Sequence, residues 1–120
     1  MTSKPWPADL RFNQAEKLLE IDFDDGRRFR LPYELLRVES PSAEVQGHGA
    51  GQKTIVPGKK NVTVAGVVPT GNYAVRIQFD DGHDTGIYSW DYLYELGTKQ
   101  DELWEKYLQA LAWKGLQREG

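Results

Sequence analysis

Cysteine is absent from the sequence, which excludes a disulfide framework, a thiolate metal site and a cysteine nucleophile. Long apolar runs are absent as well. No stretch approaches the ~20 apolar residues of a spanning helix. Met1 to Leu10, with two prolines and no apolar core, does not read as a signal peptide. A cytoplasmic protein without membrane association is the resulting expectation. Basic charge is not in excess. The net charge is −3, with 10 basic and 9 acidic side chains in residues 1–60 against 5 and 9 in residues 61–120. Neither half carries the surplus that phosphate neutralisation needs, so nucleic acid is not an expected partner. Histidine is scarce, only His48 and His83. The 120 residues suffice for one domain with one core.

What is present centres on Gly71 to Leu96. Tyr73, Val75, Ile77 and Phe79 alternate with Ala74, Arg76 and Gln78, the period of a half-buried strand. Asp81-Gly82 supplies two positions that tolerate positive φ, as a two-residue hairpin turn requires. A return strand follows through Thr85, Ile87 and Tyr88. Ser89 then caps a helix on which Trp90, Leu93, Tyr94 and Leu96 fall at helical spacing, and Gly97 ends it. An echo lies upstream. Ile21 to Gly26 matches Ile77 to Gly82, Leu31 matches Ile87, and Tyr33, Leu35 and Leu36 match Trp90, Tyr92 and Leu93, with one residue more in the second copy. The match reads either as an internal repeat of strand–Asp-Asp-Gly–strand–helix or as one good hairpin turn used twice.

In chain order, residues 1–9 read as a loose N-terminus. Leu10 and Phe12 begin a first strand. Leu19, Ile21 and Phe23 line a second, and Arg27 to Leu31 form a third with Phe29 and Leu31 inward. Pro32 suits the first turn of a short, half-buried helix, which Pro41 stops. Residues 40–60, glycine-rich and aperiodic, read as a long loop. Val62, Val64 and Val67-Val68 form a strand with a bulge at Gly66. Thr98 and Asp101 resemble a capping box opening an amphipathic helix over 98–114, with Leu103, Trp104, Tyr107, Leu108 and Leu111 on its apolar face. Residues 115–120 are a tail. The sum is an α+β domain: a small, mostly antiparallel β-sheet domain of six strands, with two short helices and a longer C-terminal one.

Chemistry-bearing residues are few. His83 stands beside Asp81 and Asp84, a metal-binding or acid–base combination that needs a second segment, for which His48 is the available histidine. The alternative is a surface histidine at a turn. The loop Gly47-His48-Gly49-Ala50-Gly51-Gln52-Lys53-Thr54 is no phosphate cradle. Gln52 separates glycine from lysine, and no apolar strand precedes the loop. Its glycines supply flexibility. Arg27, Arg28 and Arg30 form a cluster, read as a solvated strand face or as partner contacts. Of Tyr88, Trp90, Tyr92, Tyr94, Trp104 and Trp113, at least half belong in the core. Exposed ones favour interfaces, and Trp90 and Trp113 are the contact candidates. No serine sits in a nucleophile elbow, so no catalytic constellation is legible.

The segments LRFNQAEKLLEIDFDDGRRFRLPYELLRVESPSAEVQGHGAGQ and VRIQFDDGHDTGIYSWDYLYELG resemble the small N-terminal domain of gamma-butyrobetaine hydroxylase, and the stand-alone bacterial proteins of that family. The likeness runs from Leu10 to Gly97. Its most specific parts are the Leu-Pro-x-x-Leu-Leu-Arg segment, Leu31 to Arg37, and Asp-Gly-His, Asp81 to His83. The resemblance implies that oxygenase chemistry, with its iron and 2-oxoglutarate, belongs to a separate larger domain. It also implies a structural zinc, held by cysteines just after the Leu-Arg segment and by the histidine that His83 matches. The corresponding stretch here, Ser40 to Val45, contains no cysteine. One imidazole cannot supply four ligands, so no cofactor is expected. A loop including Ser40, Ser42, Glu44, Gly47, His48, Gly49 and Gly51 is then held by serine, proline and backbone contacts. Fusion of the same domain to P-loop ATPases that carry iron–sulfur clusters implies an adaptor that docks another protein. The alternative is a small-ligand or metal-binding domain using His83 and Asp81, with or without His48.

Overall fold

Two three-stranded antiparallel sheets share one core in the computed structural model, which describes residues 4–47 and 51–119. The first comprises β1 (Pro7–Asn13), β2 (Leu18–Phe23) and β3 (Arg28–Pro32) in that order, followed by α1 (Tyr33–Val38) and the single turn α2 (Ala43–Gln46). The second comprises β4 (Val64–Thr70), β5 (Ala74–Phe79) and β6 (Gly86–Ser89), followed by α3 (Trp90–Thr98) and α4 (Gln100–Lys114). The strand β1 begins at Pro7, earlier than the sequence pattern indicated. Of the described residues before it, Lys4 pairs with Asp91 and Trp6 stands edge-on to Trp90.

The repeat is real and extends beyond the two hairpins, to three strands and a helix in each unit. The register of β1 shifts between Pro7 and Asp9, opposite Phe23 and Asp22; that of β4 shifts at the matched place, between Val64 and Gly66, opposite Phe79 and Gln78. Both Asp-Asp-Gly turns are built alike. Gly26 N bonds Phe23 O, and Gly82 N bonds Phe79 O. The second aspartate of each pair plays the same part: Asp25 accepts the Arg27 amide and Asp81 accepts the His83 amide. Only the glycines take positive φ, 89° and 90°. These are three-residue turns closed by a left-handed glycine, not the two-residue type. Register also corrects one correspondence. Leu31 pairs with Leu19 as Tyr88 pairs with Val75, so Leu31 matches Tyr88, and Ile87 points outward. The extra residue of the second copy falls between His83 and Gly86.

Each helix crosses to the other unit's hairpin. From α1, Arg37 Nε reaches Asp81 at 2.7 Å, and the Tyr88 hydroxyl donates to Leu36 O. From α3, the Tyr94 hydroxyl donates to Asp25 at 2.7 Å, and its ring packs edge-on against Phe23 and Phe29. Arg37–Asp81 and Tyr94–Asp25 are therefore the same contact made twice with different chemistry. Gly97 and Phe29 meet at the first crossing, Ser40 and Gly86 at the second. Between them, Leu19, Ile21, Leu31, Leu35, Leu36, Ile77, Leu93 and Leu96 are essentially sealed from water. Five of the six residues of α1 are buried, more than half-buried packing implied.

Several sequence expectations change. Pro32 closes β3 and precedes α1 instead of entering it. Gly97 lies inside α3, where its lack of a side chain admits Phe29, and it caps nothing. Thr98 bonds Glu95 O, and Lys99 precedes α4 without a side-chain cap, so there is no capping box. The 40–60 loop contains α2, with Val45 buried. After Gly115, left-handed at φ 66°, the C-terminal segment turns back instead of trailing off. Gly58 N bonds Gln117 O and Lys60 N bonds Arg118 O. A satellite core of Val38, Tyr107 and Leu111 lies beneath this loop. Among the described residues, no helix is long and apolar enough to cross a membrane.

Helix propensity alone makes Gly97→Ala stabilising. A methyl group there would overlap the Phe29 ring, so the expected outcome is a loss of about 1–3 kcal/mol in urea unfolding, partly recovered by adding Phe29→Leu. A more stable Gly97→Ala would contradict the crossing.

Candidate functional site

At the second crossing the sequence turns polar where the first is aromatic. Arg27, exposed over the Tyr94 ring, has His83 as its counterpart, and the added residue after His83 accompanies a side chain only 4 % exposed. Phe29 has Gly86 as its counterpart, which leaves room for Ser40. The Ser40 hydroxyl lies 2.8 Å from His83 Nε2 and that of Ser42 3.4 Å away. On the other side of the ring, Nδ1 lies 3.2 Å from Glu44, itself bonded by Thr85. Asp81 receives the His83 amide on one oxygen, and Arg37 and Lys59, each at 2.7 Å, on the other.

Electrostatics fix the protonation. Burial lowers the His83 pKa, the Arg37 charge lowers it further, and Glu44 and Asp81 only partly oppose this. The ring is therefore neutral. Its Nδ1–H donates to Glu44, and Nε2 accepts the Ser40 hydroxyl. The 3.2 Å contact with Glu44 is a hydrogen bond from a neutral imidazole, not an ion pair. For Asp81, burial raises the pKa, but Lys59, the His83 amide and Arg37 outweigh it and hold the carboxyl at about 2.

Ser40–His83–Glu44 has the connectivity of a hydrolytic relay, which the sequence does not reveal because His83 lies some forty residues from the segment that holds Ser40 and Glu44. Ser40 is completely buried, so no substrate carbonyl can approach its oxygen. A zinc ion does not fit these residues either. The single imidazole nitrogen facing the serines already accepts a hydrogen bond, and serine hydroxyls are no substitute for thiolates. Among the described residues, no three histidine, aspartate or glutamate side chains are placed to share a metal.

The remaining site residues scatter. His48 and Gly49 lie outside the described residues. Gly47 and Gly51 flank them, both at positive φ. Asp84 joins Arg76 on the outer surface. Arg28 reaches towards Asp22, and Arg30 pairs with Glu16 at 2.9 Å. Of the six aromatics, Tyr88 is buried, Trp90, Tyr92, Tyr94 and Trp104 are half-buried, and Trp113 is exposed. Unforeseen were Arg37 and Lys59 on Asp81, for which the match of Arg37 with Tyr94 is the available signal. The outer sheet faces also differ. Across the first runs the row Arg11–Glu20–Arg30. The matched row across the second is Val68–Arg76–Ile87, with Val68 38 % and Ile87 47 % exposed.

Two pH dependences follow. A neutral buried histidine gives full stability above its ordinary value of 6.5. That stability is lost as pH falls below 6.5, because the unfolded chain takes up the proton first. Wild type is expected to lose stability on acidification from about pH 7 to about pH 5, and His83→Gln less steeply. His83→Gln is also expected to be less stable at neutral pH by about 1–3 kcal/mol, as the serines lose their acceptor. Asp81, with its depressed pKa, contributes above 3.8 and loses that contribution as pH falls towards about 2. With solvent screening allowed for, this is on the order of 1 kcal/mol. Chemical denaturation at a series of pH values checks both, and a wild type that gains stability through 6.5 on acidification would contradict the neutral assignment.

Comparison with known proteins agrees with this architecture. No functionally curated protein matches the chain. An NMR solution structure of a protein 46% identical superposes with a TM-score of 0.83, covering 98% of this chain and 92% of that one. A second NMR structure, 49% identical, gives 0.82 and covers 98% and 90%. A crystal structure of a protein of unknown function, of the DUF971 family from Acidithiobacillus ferrooxidans, is 43% identical, with a TM-score of 0.64 over 76% of this chain and 91% of that one. The model of the family described as gamma-butyrobetaine hydroxylase-like, N-terminal, matches residues 10–94, and the chain belongs to that family.

Proposed function

We propose that this chain is a non-catalytic adaptor domain of the cytoplasm that docks another protein through the outer face of its second sheet. The reading extends to service alongside oxygenase or iron–sulfur systems, which rests on the family resemblance alone. The observation that carries the docking is the contrast between matched faces of one repeat. The first sheet's outer row is charged throughout, its strands flanked by ion pairs. The second sets Val68 and Ile87 on either side of Arg76. Apolar side chains flanking an arginine are the composition of an interface centre. Trp90, the first residue of α3, adds a half-buried ring that Trp6 meets edge-on, with Tyr73 exposed beside it.

The polar cluster around His83 takes a structural role in this reading. It occupies the place where the family resemblance puts a zinc, and hydrogen bonds of His83 with Ser40, Ser42 and Glu44 hold α2 and the second turn together instead. Titration with zinc is expected to leave the amide resonances of Ser40, Ser42 and His83 unmoved. Saturable shifts of all three at micromolar metal would restore the metal reading.

Matched positions test the docking. A photo-crosslinking residue placed at Ile87 is expected to capture one defined protein in cells, while the same residue at Arg30, its counterpart on the first sheet, captures none. Equal capture from both positions, or none from Ile87, rules out the second sheet as the docking face.

A further inference from the structure

We propose that Glu34, Trp104 and Asp101 form a guanidinium-binding pocket, occupied within the chain by Arg118, which takes an arginine side chain of a protein partner when the C-terminal segment lifts. The pocket lies between α1 and α4, and the proposal does not depend on the second sheet being a docking face.

Glu34 is 6 % exposed. A carboxylate at that depth requires a cationic partner. It has one of the most specific kind: Arg118 Nε donates to Oε2 at 2.9 Å and Nη2 to Oε1 at 2.7 Å. This two-pronged contact matches a planar guanidinium and not the point charge of a lysine. Glu34 raises the Arg118 pKa further. The guanidinium carbon also stands 5.1 Å from the centroid of the Trp104 ring, within cation–π range. Carboxylate and indole thus read the same group from two sides. The site continues into a cavity of about 260 Å³ bounded by Pro32, Leu35, Gln100 and Asp101. Asp101 lines the same cavity and gives its rim an acidic group.

The occupant is carried on the short segment that follows α4. Beyond its guanidinium contacts, the described part of the segment carrying Arg118 is tied to α4 by the bond from Leu116 N to Leu111 O, to the loop before β4 by bonds from Gly58 and Lys60, and by a Lys60–Glu119 pair at 3.5 Å on the surface. The resident side chain identifies the chemistry of the incoming one: an arginine. A tethered occupant competes at a high effective concentration. A partner's apparent affinity is therefore reduced by the fraction of time for which the pocket is closed.

The test uses the full chain with N-acetylarginine amide as probe and N-acetyllysine amide as control, following the Trp104 indole N–H by NMR together with the melting temperature. In Arg118→Ala, the arginine amide is expected to give a saturable indole shift and to raise the melting temperature, with apparent affinity at least about tenfold above that for wild type. The lysine amide gives neither. Arg118→Ala combined with Glu34→Gln abolishes the response. In wild type, high concentrations of the arginine amide shift the Gly58 and Lys60 amides as the segment leaves. Should Arg118→Ala not fold, Arg118→Lys, which keeps a cation near Glu34, serves in its place. No saturable shift, equal response to both amides, or a response that survives Glu34→Gln would each overturn the proposal and leave Arg118 as a structural tie.

Discussion

The reciprocal crossing of α1 and α3 is the constraint on which the rest of the structure depends. A three-stranded sheet with one apolar face and a single short helix cannot bury that face alone. Here each unit lends its helix to the other's hairpin. Arg37 crosses to Asp81 and Tyr94 crosses to Asp25. The inner faces of both sheets then close over one set of leucines, isoleucines and valines. Because the helices are exchanged, neither sheet can separate without exposing both, which ties two small layers into one cooperative unit.

Duplication gives every position an internal comparison, and the differences locate the specialised chemistry. One crossing is filled by Phe29, Tyr94 and Phe23 in edge-on contact. The other is filled by His83, two serines and a carboxylate. Apolar packing at the first follows from area alone, whereas the second must satisfy each donor and acceptor it buries. Neutrality of His83 is what makes this possible. A protonated ring would present two donors to the cluster, and Nε2 could no longer accept from Ser40.

Much of this was legible in the sequence, for identifiable reasons. Alternation in Leu19–Phe23 and Val75–Phe79 gave strand faces correctly, because a buried face leaves a period of two. The repeated Asp-Asp-Gly marked both hairpins. Ser89 stands where a helix cap is expected, and its side chain accepts the Tyr92 amide. The failures share a cause: each concerned a residue whose role is set by something distant in sequence. Gly97 looks like a helix stop until Phe29 occupies the space above it. Residues 115–119 look like a tail until Glu34, far upstream, claims Arg118. Ile87 aligns with Leu31 by spacing alone, because only the register places the extra residue after His83. Of the site, the sequence singled out His83, Asp81, Ser40, Ser42 and Glu44, but not the cations on Asp81. Nothing local to Arg37 or Lys59 says that the second turn lies beside them.

Relay-like connectivity and catalysis part company here on access alone. Serine, histidine and glutamate in hydrogen-bonded sequence are necessary for the hydrolytic arrangement, but catalysis also needs an open oxygen and donors aimed where negative charge develops. Ser40 is sealed, and its hydroxyl is already engaged with Ser42 and His83. The same bonds that would activate a nucleophile here immobilise a loop. Stability supplied by a hydrogen-bonded cluster, rather than by apolar packing, makes the second crossing the half of the molecule that responds to pH. The first, with Phe29 against Gly97, has no group at its centre that titrates near neutrality.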